Sequence, residues 1–187
     1  MPNELLSDFS SPWCKALSDN PTLKAVVTAS RVVHPSTGEN SFLATTLANT
    51  SCIRAVKTFI RRGPTASLAQ LKIYMLFSLG RGVEGIAGTG HGATVALMLD
   101  EMMAAVAAEV FGRHGIITGA LEIRYKRRLE MPRVVIARAS LKRVQEEAGA
   151  ERERKQLEIF RGGGRWGRGS IRLGVMPSHT VIRSIAM

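Results

Sequence analysis

The sequence lacks paired cysteines, long apolar runs and a leader-like start. It has two cysteines, Cys14 and Cys52, and no CxxC spacing, which argues against a zinc site or a disulfide framework. No apolar run approaches the ~20 residues of a membrane span, so we expect none. Residues 1–30 carry three acids and no basic start followed by an apolar stretch. This pattern predicts an intracellular location, cytoplasmic or organellar, mitochondria included.

Acidic residues are missing from the last part of the chain. Residues 161–187 hold five Arg and no acid, whereas residues 1–160 carry 21 basic and 15 acidic groups, within a net charge of +11. A strong positive charge usually indicates a polyanionic partner, because clustered Lys and Arg attract phosphates. Here nearly half of the excess lies in one short segment, which argues against nucleic acid as a partner of the whole domain.

The length of 187 residues suits one domain. We predict an N-terminal extension over residues 1–40, a domain over 41–160 and an atypical tail over 161–187. Residues 41–61 hold two extended-looking stretches, although IRAVKTFIRR also suits a helix. LKIYMLFSLG predicts a buried strand, TVALMLDEMMAAVAAEVFG a long apolar helix, and ITGALEIRYKRRL, RVVIARASLKRV and KQLEIF consecutive antiparallel strands. The predicted fold class is α+β, with an antiparallel sheet wrapped around one central helix.

A glycine-rich loop leads into this helix, and the helix carries an acid. The first turn of a helix presents free N–H groups and a partial positive charge, so it can stabilise an oxygen that becomes negative. Asp100 lies in an apolar helix, where a carboxylate needs either a function or a partner such as arginine. Both alternatives are open from the residues alone. The loop lacks the GK[ST] ending of a nucleotide-binding P-loop, which excludes that class.

The same residues resemble the hotdog-fold acyl-CoA thioesterases, especially the family of human thioesterase superfamily members 4 and 5 and their fungal relatives. That family has HGG, six variable positions and Asp; here His91-Gly92-Ala93 is followed by Asp100 at the same spacing. Thr118 precedes a YKR strand as in the family, and SRVVHPSTGENSFLATTL is similar to an upstream block of fungal members. The resemblance covers roughly residues 30 to 160 and implies a hotdog fold.

The resemblance also implies a chemistry, namely hydrolysis of acyl-CoA to free acid and CoA without a metal or another cofactor. Gly92 would offer its N–H to the thioester oxygen. Asp100 would act as general base or nucleophile, and Thr118 would help to place water. His91 would orient the loop.

Helix geometry bears separately on the assembly. The nine steps along the helix from His91 to Asp100 span ~13 Å and leave a net turn of about 180°, so the two side chains point to opposite sides. One chain therefore cannot present both to one thioester carbon. We expect a homodimer, which could pair again as a tetramer, with each site built from two subunits.

Two departures from the family affect substrate binding. Ala93 replaces the second glycine of HGG, which would cost about 1 kcal/mol or more if the position required a positive φ. Arg124, Lys126 and Arg127, with Arg128 in place of the family's proline, suit the phosphates of CoA or simply form a solvated strand face.

The segment 161–187 departs furthest, because it has neither acids nor a regular strand pattern where hotdog domains need a further long strand. Codons that encode it can spell Gly-Glu-Val-Glu-Asp-Gly-Glu-Gly and an apolar run one nucleotide later, as the family would have. We therefore hypothesise a frameshift or splice artefact near residue 160, which an intact frame in independent transcripts would refute.

Three functional alternatives remain from the sequence. A non-catalytic hotdog protein would bind acyl-CoA or only self-associate, and a nucleic-acid binder would use RGGGRWGRG as an Arg/Gly tail. A hotdog hydratase fits less well, because Asp100 has no suitably paired His.

Overall fold

A computed structural model describes residues 8–63, 70–111, 116–147, 150–161 and 164–175. Its elements, in chain order, are α1 (Pro12–Ser18), β1 (Lys24–Val26), β2 (Ile53–Arg61), β3 (Lys72–Leu79), β4 (Glu84–Ile86), β5 (Thr89–Gly90), α2 (Gly92–Phe111), β6 (Ile116–Tyr125), β7 (Arg133–Glu147), β8 (Ala150–Arg161) and β9 (Gly164–Val175).

Seven strands form one antiparallel sheet in the order β1-β2-β3-β7-β8-β9-β6, and β4 and β5 form a small separate hairpin. Helix α2 contacts β3, β6, β7, β8 and β9, so the sheet packs along it. This arrangement confirms the predicted α+β class with a long central helix.

The main core lies between α2 and the sheet. The helix is apolar on nearly every side, and the side chains it buries are Val95, Met98, Leu99, Met102, Met103, Val106 and Ala107. Strand β3 is buried on both faces: Ile73, Met75 and Phe77 join this core, while Leu76 packs on the opposite face. The near-continuous apolar run of β3 follows from that double burial.

The N-terminal extension covers the other face of the sheet. Phe9 and Cys14 pack with Phe59, Leu76 and Ile136 in a second apolar cluster, and β1 pairs with β2. Both cysteines are free thiols. The extension thus adds an edge strand and a cover to the sheet, and its boundary at residue 40 stays a prediction. Within the described residues, α2 included, no helix combines the length and the apolar character needed to cross a membrane.

Two local predictions differ from the structure. Phe42–Thr46 is a wide helical turn, not extended, because Arg31 donates hydrogen bonds to the carbonyl oxygens of Leu43 (2.7 Å) and Ile53 (3.2 Å) and holds the turn against β2. The helical alternative for IRAVKTFIRR is wrong, since this run is β2. Tertiary contacts overrode local propensity in both places.

The end of the chain also differs from expectation. Gly164–Val175 forms β9, which pairs with β8 on one side and β6 on the other, although the sequence predicts no regular strand there. Backbone hydrogen bonds between strands need no alternating side chains, so a Gly/Arg-rich run can still occupy a sheet position. Residues 176–187 lie outside the described part of the chain, and the boundary at 161 stays a prediction.

Leu99 provides a test of the helix–sheet core. Replacing this fully buried side chain (0% exposed) with alanine should lower the free energy of unfolding by about 3 kcal/mol, because a cavity replaces its contacts. Ile86→Ala is the control: Ile86 is 73% exposed on the hairpin, so its loss should cost less than about 0.5 kcal/mol. Urea denaturation measures both, and equal effects would contradict the burial of α2.

Candidate active site

The β4–β5 hairpin positions the start of α2. The N–H of Gly90 donates to the carbonyl oxygen of Leu129 at 2.7 Å, and that of Met131 donates to Gly88 at 3.0 Å. The hydroxyl of Thr94, inside the helix, donates to the carbonyl oxygen of Val83 at 3.2 Å. The glycine-rich segment is therefore fixed to the chain that follows β6 and to the helix itself.

His91 caps α2. Its Nδ1 accepts a hydrogen bond from the N–H of Ala93 at 2.9 Å, and its carbonyl oxygen accepts one from the N–H of Thr94 at 2.9 Å. Because Nδ1 is an acceptor, the neutral ring carries its proton on Nε2. Gly85 leaves room for the ring, since a methyl carbon added there would lie 2.9 Å from Cδ2 of His91. This geometry supports the predicted orienting role of His91.

Gly92 and Ala93 form the first turn of the helix. Among the described residues, the backbone N–H of Gly92 has no hydrogen-bond partner, whereas the N–H of Ala93 is used by His91. Asn40 is the non-glycine residue with a positive φ in the described chain, so Ala93 carries no such strain. The energetic cost considered for Ala93 does not arise.

Asp100 lies two turns further along and contacts Thr118. The Thr118 hydroxyl donates to Oδ1 of Asp100 at 2.6 Å. Among the described residues, no arginine forms an ion pair with Asp100. Its partner is the hydroxyl of Thr118 on β6. One carboxylate oxygen is thereby fixed, and the orientation of the side chain with it.

An extra residue in β6 turns Thr118 toward the helix. Thr118 pairs with Leu173 and Ala120 with Arg172, so β6 uses two residues where β9 uses one. Leu121 packs against the core around α2. In a regular strand, residues three apart face opposite sides, and Thr118 would then point away from Asp100. The bulge reverses this alternation, as bulges beside active sites often do.

Glu101, which the sequence analysis did not single out, is a partly buried acid next to Asp100. Burial raises the pKa of the Glu101 carboxyl; a hydrogen bond with the Ser30 side chain opposes this rise, and the charge of Asp100 adds to it. Ser30 and Arg31 belong to the upstream block that resembles the fungal relatives. That block therefore reaches α2 beside Asp100, which no spacing in the sequence could reveal.

Tyr125, at the end of β6, was also missed. Its hydroxyl donates to the carbonyl oxygen of Gly92 at 3.1 Å, and its ring lies beside Gly92.

Of the predicted basic residues, Arg124 forms an exposed ion pair with Glu122 at 3.5 Å. Lys126 and Arg127 are exposed immediately after Tyr125.

Within one chain, the predicted residues form two groups. His91, Gly92 and Ala93 lie at the helix start with Tyr125, and Asp100 lies with Thr118 about 12 Å further along the helix axis. Strand β6 runs antiparallel to α2 and contacts both groups. In the described part of the chain, no group of three His, Cys, Asp or Glu side chains is close enough to hold a metal ion.

Comparisons with solved structures define the class of fold. A phenylacetic acid degradation-related protein from Ralstonia eutropha, described as a putative thioesterase, is 15% identical, with a TM-score of 0.50 over 62% of this chain and 83% of that one. A mutant of the phenylacetic acid degradation protein from Thermus thermophilus is 14% identical, with a TM-score of 0.50 over 64% and 93%. At such identities the likeness concerns the fold: this is a hotdog domain.

The sequence of the site region resembles one family. Residues 87–147, which include the end of the glycine-rich loop, α2, β6 and β7, match the model of the thioesterase superfamily. About a third of the chain, with the candidate site in it, is thus similar to that superfamily. No curated protein is similar enough to count as a match. The closer likeness to the two human members stays a prediction.

The cap provides a test of the helix start. His91→Ala should lower the free energy of unfolding by about 1 kcal/mol, because the N–H of Ala93 loses its acceptor. His91→Asn should restore most of this loss, since asparagine is among the best N-cap residues. Urea denaturation of both variants measures the effect. Equal destabilisation by alanine and asparagine would refute the capping role.

Proposed function

We propose that this protein hydrolyses acyl-CoA thioesters to a free acid and CoA. The observation that carries the proposal is the 2.6 Å hydrogen bond between Thr118 and Asp100 in a helix whose neighbouring side chains are buried and apolar. A hydroxyl that orients a half-buried carboxylate on a mainly apolar helix suits chemical use. The match of residues 87–147 to the thioesterase superfamily supports the reaction type.

Asp100 is the proposed general base or nucleophile. As a base, it would take a proton from water while the water oxygen attacks the thioester carbon. As a nucleophile, it would attack that carbon itself and form a mixed anhydride, which water would then hydrolyse to the free acid and the regenerated Asp100 carboxylate. In both routes the carbon–sulfur bond breaks and CoA leaves as its thiolate. Thr118 fixes Oδ1 by donating its hydrogen, which supports a role for the other oxygen, Oδ2, in binding or attack.

Gly92 is the proposed oxyanion donor. The attacked carbonyl oxygen gains negative charge, which a preorganised N–H at a helix start stabilises. The N–H of Gly92 lacks a partner among the described residues, and the neighbouring N–H is used by the His91 cap. The cap therefore supports different roles for the two N–H groups. That of Ala93 holds the loop, and that of Gly92 would donate to the thioester oxygen.

The separation of the two groups supports a shared site. Asp100 and Gly92 lie about 12 Å apart along one helix, too far to act on one carbon. Strand β6 borders the sheet, and Ile117 on it is 56% exposed. An uncovered edge with an apolar side chain suits pairing with a second copy. We infer a homodimer, or a tetramer of two such dimers, in which Gly92 of one subunit and Asp100 of the other serve each thioester.

Substrate binding would involve the chain around Tyr125. Lys126 and Arg127 are exposed and directly follow Tyr125, whose ring lies beside Gly92, and Arg124 directly precedes it. We propose these three cations as contacts for the phosphates of CoA. Ala93 is exposed beside Gly92 and would contact the acyl thioester. An intracellular location, where acyl-CoA is found, is part of this proposal.

The main alternative is a hotdog protein that binds acyl-CoA, or only self-associates, without hydrolysis. An Arg/Gly tail that binds nucleic acid has less support, because part of that segment is strand β9 within the sheet. Both are outcomes of simple measurements. Acyl-CoA binding without thiol release would favour the first, and salt-sensitive RNA binding lost with residues 161–187 would favour the second.

Replacing Asp100 with asparagine tests the mechanism. The variant keeps the shape and can still accept from Thr118, but it removes the base or nucleophile. The kcat for acyl-CoA hydrolysis should fall at least about 100-fold, measured as thiol release over several acyl chain lengths.

Glu101→Gln is the matched control, because it removes the adjacent carboxylate, also on α2 and also partly buried, and can keep a bond to Ser30. Its kcat should stay within about threefold of the wild type. Equal rates for the wild type and Asp100→Asn would remove Asp100 from the mechanism.

A further inference from the structure

The tyrosine at the end of β6 contacts the peptide next to the proposed oxyanion donor. The Tyr125 hydroxyl donates to the carbonyl oxygen of Gly92 at 3.1 Å. The ring lies against Gly92 as well: a methyl carbon added to this glycine would meet ring atoms at 3.6 Å. Tyr125 is 55% exposed, so burial of a large apolar group does not explain its position.

The peptide unit between Gly92 and Ala93 is held at both ends. Tyr125 donates to its oxygen, and His91 Nδ1 accepts from its N–H at 2.9 Å. A peptide is a rigid plane, so two such bonds fix its orientation. The next peptide toward the N-terminus, between His91 and Gly92, carries the proposed oxyanion donor. Its oxygen accepts from the N–H of Thr94 at 2.9 Å, and the torsions at Gly92, which has no side chain to restrict them, join it to the peptide that Tyr125 holds.

We propose, on the basis of the function above, that Tyr125 is a positioning residue that holds the Gly92 N–H toward the thioester oxygen. Glycine at position 92 gives access to the backbone, and the N–H of Thr94 holds the preceding peptide by donating to the carbonyl oxygen of His91. The tyrosine adds a constraint on the other side of Gly92, at its own carbonyl oxygen. Oxyanion stabilisation depends on donors that need no rearrangement during the reaction, so such rigidity acts on kcat.

One strand then serves both catalytic groups. Thr118 near the beginning of β6 orients Asp100, and Tyr125 at its end orients Gly92. The two are seven positions apart, and an odd difference puts side chains on opposite faces of a regular strand. The extra residue between Thr118 and Ala120 brings both hydroxyls to the face of α2. The bulge therefore allows both Thr118 and Tyr125 to contact α2 from the same strand.

Tyr125→Phe tests the proposal, because it keeps the ring beside Gly92 and removes only the hydroxyl. We expect kcat for acyl-CoA hydrolysis to fall about fivefold, the effect of one modest hydrogen bond, with KM within about twofold. Tyr74→Phe is the matched control: Tyr74 packs with the cluster on the other face of the sheet, and its kcat should not change.

Amide hydrogen exchange, followed by NMR in the full-length protein, gives a readout that needs no activity. In Tyr125→Phe the N–H of Ala93 should exchange about fivefold faster, while that of Leu99 in the helix core should not change. Faster Ala93 exchange in a protein without thioesterase activity would refute the proposed function and leave the positioning role intact. Unchanged kcat together with unchanged exchange, or an equal rise at Ala93 and Leu99, would overturn the role of Tyr125.

Discussion

The hydrogen bond from Thr118 to Asp100 joins the edge strand of the sheet to the central helix, and the arrangement of the site depends on it. It requires a carboxylate among buried apolar side chains, and it requires a bulge in β6 that turns the hydroxyl inward. Neither feature adds an apolar side chain to the core between α2 and the sheet. Features that core packing does not explain are typical of sites shaped by chemistry.

Strand β6 holds both Gly92 and Asp100 in fixed positions, although they lie far apart along α2. Its ends contact Gly92 and Asp100, so any shift of β6 along α2 would disturb both contacts. Because β6 also borders the sheet, it is the element through which a second copy would approach. In the proposed dimer, β6 would therefore orient the loop of one site and the acid of the other. Assembly and catalysis would depend on one strand, whose neighbour β9 comes from the least typical part of the chain.

Much of this could be predicted from the residues. The apolar run over α2 and the alternation of Leu121 and Ile123 predict the helix and the strand, because burial leaves local patterns. The spacing from HGx to Asp predicts the resemblance to the thioesterase superfamily, which residues 87–147 match. The contacts of Tyr125 and of Glu101 with Ser30 could not be predicted, since each joins segments far apart in sequence. Strand β9 was not predicted for another reason. It is held by backbone hydrogen bonds to its neighbours, and the side-chain composition of a segment does not show whether such neighbours are available.

The most direct test of the shared site mixes two inactive variants. Asp100→Asn lacks the acid, and Gly92→Pro lacks the N–H donor at the first helical position, where proline is tolerated. Gly92→Ala, which has room beside Tyr125 and keeps the N–H, is the control. Each of the two inactive variants alone should show no hydrolysis. After unfolding and refolding together in equal amounts, the mixed dimers should contain one intact site, and about a quarter of the wild-type activity should return. No recovery of activity, with mixed dimers present, would contradict a site built from two subunits.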